Sequence, residues 1–313
     1  MPRLLALFLA LAMVVAACGA DTDDGVDDAG ATPTEEAEAE TTDDEPVEDD
    51  TGDTEEVELT QGGSVLDSVL EAGVVRVGVR NDNPPISFLD EEGEWVGFDL
   101  ELAQALADQM GVELELVPVD GTTRISFLES GQVDMSVASM NHTRSRDEAI
   151  DFSITYFWDN QSFLVRTGEY ESIEELFGET VAASSGSSTI DSWTAYAADN
   201  GGEAGEIVEF DDKLAAVQAV RDGAVEGYTE DNITMLSLAA GDPGLTLLPG
   251  GHNRVQFGVG VPENDSEWRD AVNLALQDVW LSGEYQELYD FWFVDEATRQ
   301  IDLPLGGQME IWG

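Results

Sequence analysis

Apolar positions along this chain recur with two different periods, and the changes of period mark its elements. VVRVGV, residues 74–79, is a β-branched run and reads as a buried strand. GFDLELAQALADQMG, 97–111, carries Phe98, Leu102, Leu106 and Met110 at a spacing of four, one stripe of a helix that Gly111 can close. VELELV (112–117) reads as the next strand. RISFLESG reads as a short helix ending at Gly131, and VDMSVASM (133–140) as a further strand.

A second series follows. TVAAS is a strand, and a helix opens after Gly186. EIVEF is a strand, KLAAVQAVRDG a helix, VEGYT a strand, DNITMLSLAA a helix and LTLLP a strand. FGVGV (257–261) precedes a long helix from about Ser266 to Leu281, and GEYQELYDFWF closes the pattern with a last helical region. Such alternation predicts an α/β fold, with mainly parallel sheets covered by helices on both faces. In sheets of that kind ligands sit at the carboxyl ends of strands.

The front of the chain follows another pattern. One cation, Arg3, precedes an apolar run from Leu4 to Ala17. The run is too short and too early for a membrane span, and small residues end it, so residues 1–17 read as a secretory signal. The single cysteine, Cys18, stands at the end of VAAC. Residues 15–18 resemble the bacterial lipobox, in which the cysteine left after cleavage carries lipid. Residues 21–58 hold 19 Asp and Glu, no Lys or Arg and no aromatic residue. A tract of that composition repels itself and buries almost nothing, so residues 18–63 are expected to be an extended acidic tether behind a lipidated Cys18.

Charge then narrows the partners. The chain has 12 Lys and Arg against 67 Asp and Glu. Setting aside Arg3 and the 19 acids of the tract leaves 11 bases and 48 acids, a net charge of −37. Nucleic acid is excluded as a partner, because phosphate contacts need clustered cations. Against that background NHTRSRDEAIDFS (141–153) places Arg144 and Arg146 two residues apart. From the residues alone they are either surface ion pairs, with Asp147 or Asp151, or part of an anion pocket.

The stretch VVRVGVRNDNPPISFLDEEGEWVGFDLELAQALADQMG resembles the opening of the family-three extracellular solute-binding proteins, the amino-acid receptors of ABC importers. GFDLELAQAL is its core, with Glu101 where the family usually has a second Asp. The resemblance continues through TRISFLESGQVDMSVASMNHTRSRDEAIDFSITYF, VAASSGSST and VEGYTEDN, and ends at FGVGVPENDSEWRDAVNLALQDVWLSGEYQELYDFWF. It covers roughly residues 64–293 in order. It implies a two-lobed, type II periplasmic-binding-protein-like α/β fold with the ligand in the cleft between lobes joined by two crossing strands. Residues 64–166 plus 257–313 are expected to form lobe 1, and 167–256 lobe 2. The crossings are expected in SFLVR (162–166) and near VQFGV (255–259).

The resemblance also implies roles. Arg146, seven residues after Ser139 and ahead of DFS, takes the position of the arginine that holds the ligand α-carboxylate. A planar guanidinium suits that group because it makes two parallel hydrogen bonds. Arg144 has no such counterpart and is expected in a surface ion pair. Asp231 in YTEDN takes the position of the ammonium partner, with Glu230 as its competitor. Ser139 and Asn141, with Gly186, Ser187 and Ser188 at a helix start, would add hydroxyl and backbone contacts; an ordinary N-cap is the alternative for the last three. Arg80, Arg124 and Lys213 bear on the ligand side chain, or else neutralise acids such as Asp82 and Asp212. Together they point to glutamate or aspartate. One departure stands against this: Asn83 replaces the aromatic that usually stacks on the ligand, which leaves neutral polar ligands and compatible solutes open, and Phe88 nearby reads as a core aromatic.

The expected protein is a monomeric extracytoplasmic lipoprotein, anchored to the cell membrane, with a membrane permease as its partner. It needs no cofactor and no metal. A dehydratase on the same fold would need a placed acid or base, and only His142 and His252 are available as histidines. A sensor subunit would need a separate partner chain.

Overall fold

The computed structural model describes residues 63–293. The signal segment, Cys18, the acidic tether and residues 294–313 lie outside the described residues.

In chain order the elements are α1 (Val65–Ala72), β1 (Val74–Arg80), β2 (Asp82–Asn83), β3 (Ser87–Leu89), β4 (Trp95–Val96), α2 (Phe98–Met110), β5 (Glu113–Val119), α3 (Arg124–Glu129) and β6 (Met135–Ser136). There follow β7 (Asp151–Arg166), β8 (Val181–Ser184), α4 (Thr189–Asp199), β9 (Ile207–Phe210), α5 (Lys213–Arg221) and β10 (Gly227–Asp231). The chain continues with α6 (Asn232–Leu238), β11 (Leu245–Leu247), β12 (Asn253–Val261), α7 (Ser266–Ser282) and α8 (Glu284–Phe293). No helix among these is long and apolar enough to cross a membrane.

The expected alternation is present. The stripe on α2 buries Phe98, Leu102 and Leu106 completely, and Gly111 ends the helix in the left-handed conformation, its N–H on the carbonyls of Ala107 and Asp108. That conformation is strained for any residue with a Cβ, which is why glycine stands there.

The main sheet runs in the order β5-β1-β6-β12-β7-β10-β8-β9, with β11 also on β7. Strands β5, β1 and β6 pair in parallel, as do β10, β8 and β9. The parallel expectation fails at the centre. There β7 pairs antiparallel with β12, β10 and β11. Strand β7 is 16 residues long. Its first part pairs with β12, and beyond Gln161 it pairs with β10 and β11. A strand that serves two sheets in turn needs long continuous pairing, and β12 returns beside it. These two are the crossing strands of a two-lobed fold.

Separate cores lie on either side. One gathers β1, α2, β12, α7 and α8 around Phe98, Phe157, Trp268 and Tyr285. On the other side, Leu164, Ala182, Val217 and Tyr228 form a second cluster, and Phe163, Val165 and Trp193 a third. VDMSVASM forms only the two-residue β6, because the chain turns away at Ser139, whose φ is +44°. Such a conformation is uncommon outside glycine and persists where the surroundings impose it.

Candidate functional site

The sequence of β7 carries a polar run, WDNQS (158–162), in the middle of a strand, and Asp159, Gln161 and Ser162 are fully buried there. Buried polar groups must find partners, and those of Gln161 lead to Asp231 and to the start of α4. Gln161 Nε2 donates to Ser188 Oγ at 3.1 Å and to Asp231 Oδ1 at 3.0 Å, while its Oε1 accepts from Ser192 Oγ at 2.7 Å and from Asn253 Nδ2 at 3.1 Å.

Asp231 ends β10 and stands before the first turn of α6, as expected. Its Oδ1 also accepts from Asn141 Nδ2 at 3.3 Å. No cation lies within ion-pair distance of it among the described residues. Burial, then the neighbouring Glu230, push its carboxyl up to about 6 in spite of these hydrogen bonds. Asp159 sits just behind, accepting from the backbone N–H of Ile233 and Asn160. Burial and the Asp231 charge hold it well above the usual carboxylate range.

Arg146 is also buried, and the alternative of a surface pair is not realised. Asp147 binds His142 at 2.8 Å, and Asp151 lies 3.7 Å from Arg269. Arg146 Nη1 donates to the carbonyl of Asn141 at 2.9 Å, and Nη2 to that of Gly186 at 3.0 Å. Burial works against its charge, and Asp231 is the first group to offset this. Arg144 is exposed and makes no ion pair among the described residues, which corrects the expected surface bridge. Arg144→Ala is therefore expected to leave ligand affinity unchanged and melting within about 0.5 kcal/mol of the parent, read by calorimetry and thermal melts.

Ser139 is held from behind. Its N–H donates to Asp99 Oδ2 at 2.6 Å, and Tyr156 OH donates to Asp99 Oδ1 at 3.0 Å. Burial raises Asp99 to about 7. Asn83 binds Ser139 Oγ through Nδ2 at 3.0 Å and accepts from Thr234 Oγ1 at 2.9 Å, so the residue in place of the aromatic links β2 to α6. Asn141 Nδ2 reaches Ser188 Oγ at 2.9 Å. Ser187 Oγ accepts from the N–H of Thr189 at 3.3 Å and lines the same inner space.

The three further cations differ. Arg80 is forked onto Asp82, with Nε and Nη2 at 2.8 and 2.7 Å from its oxygens. Lys213 is buried 3.3 Å from Glu230, not on Asp212, which instead caps α5 through its Oδ1. Burial would raise Glu230, but Lys213 and the Ser184 hydroxyl hold it at about 2. Among the described residues Arg124 has no carboxylate partner: Nη1 donates to the carbonyls of Ala138 and Ser139, and the buried Nε makes no hydrogen bond. Its pKa is pushed well below the usual value by burial and then by Arg146 and Arg80.

Arg80, Asn83, Arg124, Ser139, Asn141, Ser187, Glu230 and Asp231 thus enclose one inner space of about 10 Å³. That is no more than a single water needs. Gly121 lies across it against Ser185 and Gly186. A Cβ on Gly121 would stand 2.6 Å from the Ser185 carbonyl oxygen. Asp82 pairs with Arg80 and Glu230 with Lys213, whereas Arg124, Arg146 and Asp231 make no ion pair among the described residues. Among the described residues no cluster of His, Cys, Asp and Glu could hold a metal. His142 stacks on Phe152, and His252 is buried between Thr229 and Ser192.

Sequence reasoning missed Gln161, Asp99 and Asp159. The signal for two of them was the polar run inside a strand.

Residues 75–295 match the model of the bacterial extracellular solute-binding proteins, family 3. The chain is 26% identical over 239 residues to the L-cystine-binding protein TcyJ of Escherichia coli (strain K12), covering 75% of this chain and 88% of that one. It is 28% identical to the ABC transporter glutamine-binding protein GlnH of Bacillus subtilis (strain 168), over 71% of this chain and 82% of that one. Among solved structures, an ancestral arginine-binding protein bound to arginine matches with a TM-score of 0.66 and 32% identity, covering 71% of this chain and 98% of that one.

Proposed function

The chain belongs to the bacterial extracellular solute-binding proteins of family 3, and from that premise we propose that it captures a free polar amino acid between its lobes and delivers it to an ABC permease. One observation carries the reading. Arg146 and Asp231 are buried and opposite in charge, and each is bonded to neutral groups rather than to the other. A free amino acid has the complementary pair, a carboxylate and an ammonium. Relatives that bind cystine, glutamine and arginine support the ligand class.

Arg146 holds the α-carboxylate and Asp231 the ammonium. Ser139, Asn141, Gly186, Ser187 and Ser188 complete the shell around them. Hydrogen bonds to charged groups contribute roughly 1.5–3 kcal/mol each, so a few of them reach the ~8 kcal/mol of a micromolar site after ordering is subtracted. Residues before and after the crossing strand β7 together enclose the inner space, so entry requires the lobes to part. They hinge where β7 and β12 cross, near Gln161 and Asn253, and ligand contacts from both lobes favour the closed form.

The side chain of the ligand is acidic. Arg124, buried with no carboxylate partner among the described residues, is the group that glutamate or aspartate neutralises, with Arg80 beside it. Lys213 is occupied by Glu230 and tunes that acid instead. Cys18 carries the lipid anchor that holds the monomer at the outer face of the membrane.

Titration calorimetry of the purified chain against the common amino acids tests this, with scattering to follow compaction. A single saturable site for an amino acid, accompanied by compaction, is expected. Absence of binding to every amino acid would sink the proposal. Arg124→Met is expected to weaken glutamate binding at least tenfold and glutamine binding much less. Equal loss for both would remove the acidic preference.

A further inference from the structure

His252 stands just before β12, 8% exposed, and has no part in the capture described above. Its ring is set among Phe163, Trp193 and Tyr196, with centroids 5.6, 5.7 and 6.3 Å away. Two hydroxyls meet its nitrogens: Thr229 Oγ1 lies 2.9 Å from Nε2, and Ser192 Oγ lies 3.4 Å from Nδ1. Burial pushes its pKa down to about 4, so the ring is uncharged at neutral pH. A neutral imidazole has one donor and one acceptor, and the neighbours decide which nitrogen is which.

Here the decision is made at Asp231. An ionised carboxylate only accepts, so the Gln161 amide must turn Nε2 toward it, at 3.0 Å, and toward Ser188 Oγ, at 3.1 Å. Oε1 then faces Ser192 Oγ at 2.7 Å and Asn253 Nδ2 at 3.1 Å, and both must donate. Ser192 has a single hydroxyl hydrogen. With that hydrogen on Gln161, Ser192 can only accept from His252. Nδ1 therefore carries the ring hydrogen, and the bare Nε2 accepts from Thr229. From Thr229 to Asp231 every hydrogen points the same way, and bonds in such a chain strengthen one another. The chain ties β10 and the start of β12 to α4 and β7.

We propose that His252 is a positioning residue for the ammonium site: by donating from Nδ1 to Ser192 it keeps the Ser192 hydroxyl on Gln161, and so keeps the Gln161 amide turned with its N–H groups on Asp231 and Ser188. Without that donor the Ser192 hydroxyl can swing to the Thr189 carbonyl, 3.2 Å away, and Gln161 Oε1 is left to Asn253 alone. The assignment rests on the amino-acid reading above for the role of Asp231, whereas the direction of the chain needs only its charge.

Nitrogen-15 NMR of the full chain labelled at histidine reads the ring directly, with His142→Gln assigning the other signal. At pH 7.5 and without ligand the Nδ1–H form of His252 is expected. The Nε2–H form would overturn the proposal. Calorimetry with L-glutamate and L-glutamine reads the role, since both carry the ammonium. His252→Gln places its amide near the Nε2 position and nothing at Nδ1, and is expected to weaken both ligands at least about fivefold, the cost of one ordinary hydrogen bond. His252→Asn keeps an N–H donor at the Nδ1 position and is expected to stay within about twofold of the parent. Both variants lose the ring and its packing, so a merely structural histidine would lower melting and affinity alike in the two. In a Ser192→Ala background His252→Gln is expected to add no further loss. Equal affinities in the two His252 variants, or a further loss in the Ser192→Ala background, would refute the positioning role and leave the amino-acid reading standing. If the parent binds no amino acid, both fall together.

Discussion

Asp231→Asn is expected to abolish ligand binding and at the same time to make the protein more stable. The two effects have one cause. Asp231 is fully buried, and its partners, Asn141 and Gln161, are neutral amides that an asparagine oxygen accepts from equally well. Burial and Glu230 raise its pKa from 3.8 to about 6. The sign follows directly. A carboxyl whose pKa is raised on folding holds its proton more tightly in the native state, so its contribution is fully present below pH 3.8 and is lost as pH rises through about 6. Above that the native protein carries an unfavourable charge, a penalty of the order of 1–3 kcal/mol. Asparagine removes it. The melting advantage of the variant is therefore expected at pH 7.5 and absent near pH 3.5. A variant that melts lower than the parent at pH 7.5 would contradict the account.

The same charge is what an ammonium needs. On the proposed function, ligand binding lowers the Asp231 pKa toward its ordinary value. Binding between about pH 4 and 6 then releases a proton, and affinity falls as pH drops through that window. The Asn variant loses at least about 100-fold in affinity, in line with the 2–5 kcal/mol of a truncated buried charge pair. Arg146→Ala is expected to lose as much affinity but with the opposite effect on stability. Its removal leaves the carbonyls of Asn141 and Gly186 without their donor and opens space in a buried position. Opposite stability signs with equal loss of binding distinguish a ligand-facing pair from a structural one.

The positions of these two residues came from the family resemblance, which sets Arg146 ahead of DFS and Asp231 in YTEDN, and the structure buries both. The alternation of β and α elements was readable from the residues themselves, since period is a local property. What supports the pair was not. Gln161 acts through a strand whose 16 residues change partners midway, and pairing register between distant strands leaves no local trace beyond the WDNQS run. Asp99 read as an ordinary acid in the first turn of α2, yet its carboxylate points at Ser139, 40 residues on. The partners of Arg80 and Lys213 show the same limit. Both cations were visible, but in a chain so rich in acids only the fold decides which acid each one meets.

Gly121→Ala is expected to leave the protein folded and to uncouple the lobes. Glycine at 121 is not required by backbone conformation, because its φ lies outside the left-handed range, whereas Gly186 opposite has φ +69°. Alanine at 121 therefore causes no local strain, and the smaller entropy of the unfolded chain favours stability by about 0.4–1 kcal/mol. The obstacle is across the cleft. The new Cβ would stand 2.6 Å from the Ser185 carbonyl oxygen, a distance real Cβ atoms do not reach, and a backbone oxygen cannot rotate aside as a flexible side chain can. The closed contact must open by several tenths of an ångström at least. Arg146 donates to the Gly186 carbonyl, and Asn141 to Ser188, so widening the gap at 121 strains the shell proposed to hold the ligand. Affinity should fall at least about 100-fold with no loss of melting temperature, and scattering should show less compaction at saturating ligand than in the parent. Gly121→Ser should behave in the same way, since the clash is at Cβ. Parental affinity and compaction in both variants would mean that the lobes are stopped by some other contact, and that the approach of Gly121 to Ser185 is incidental to closure.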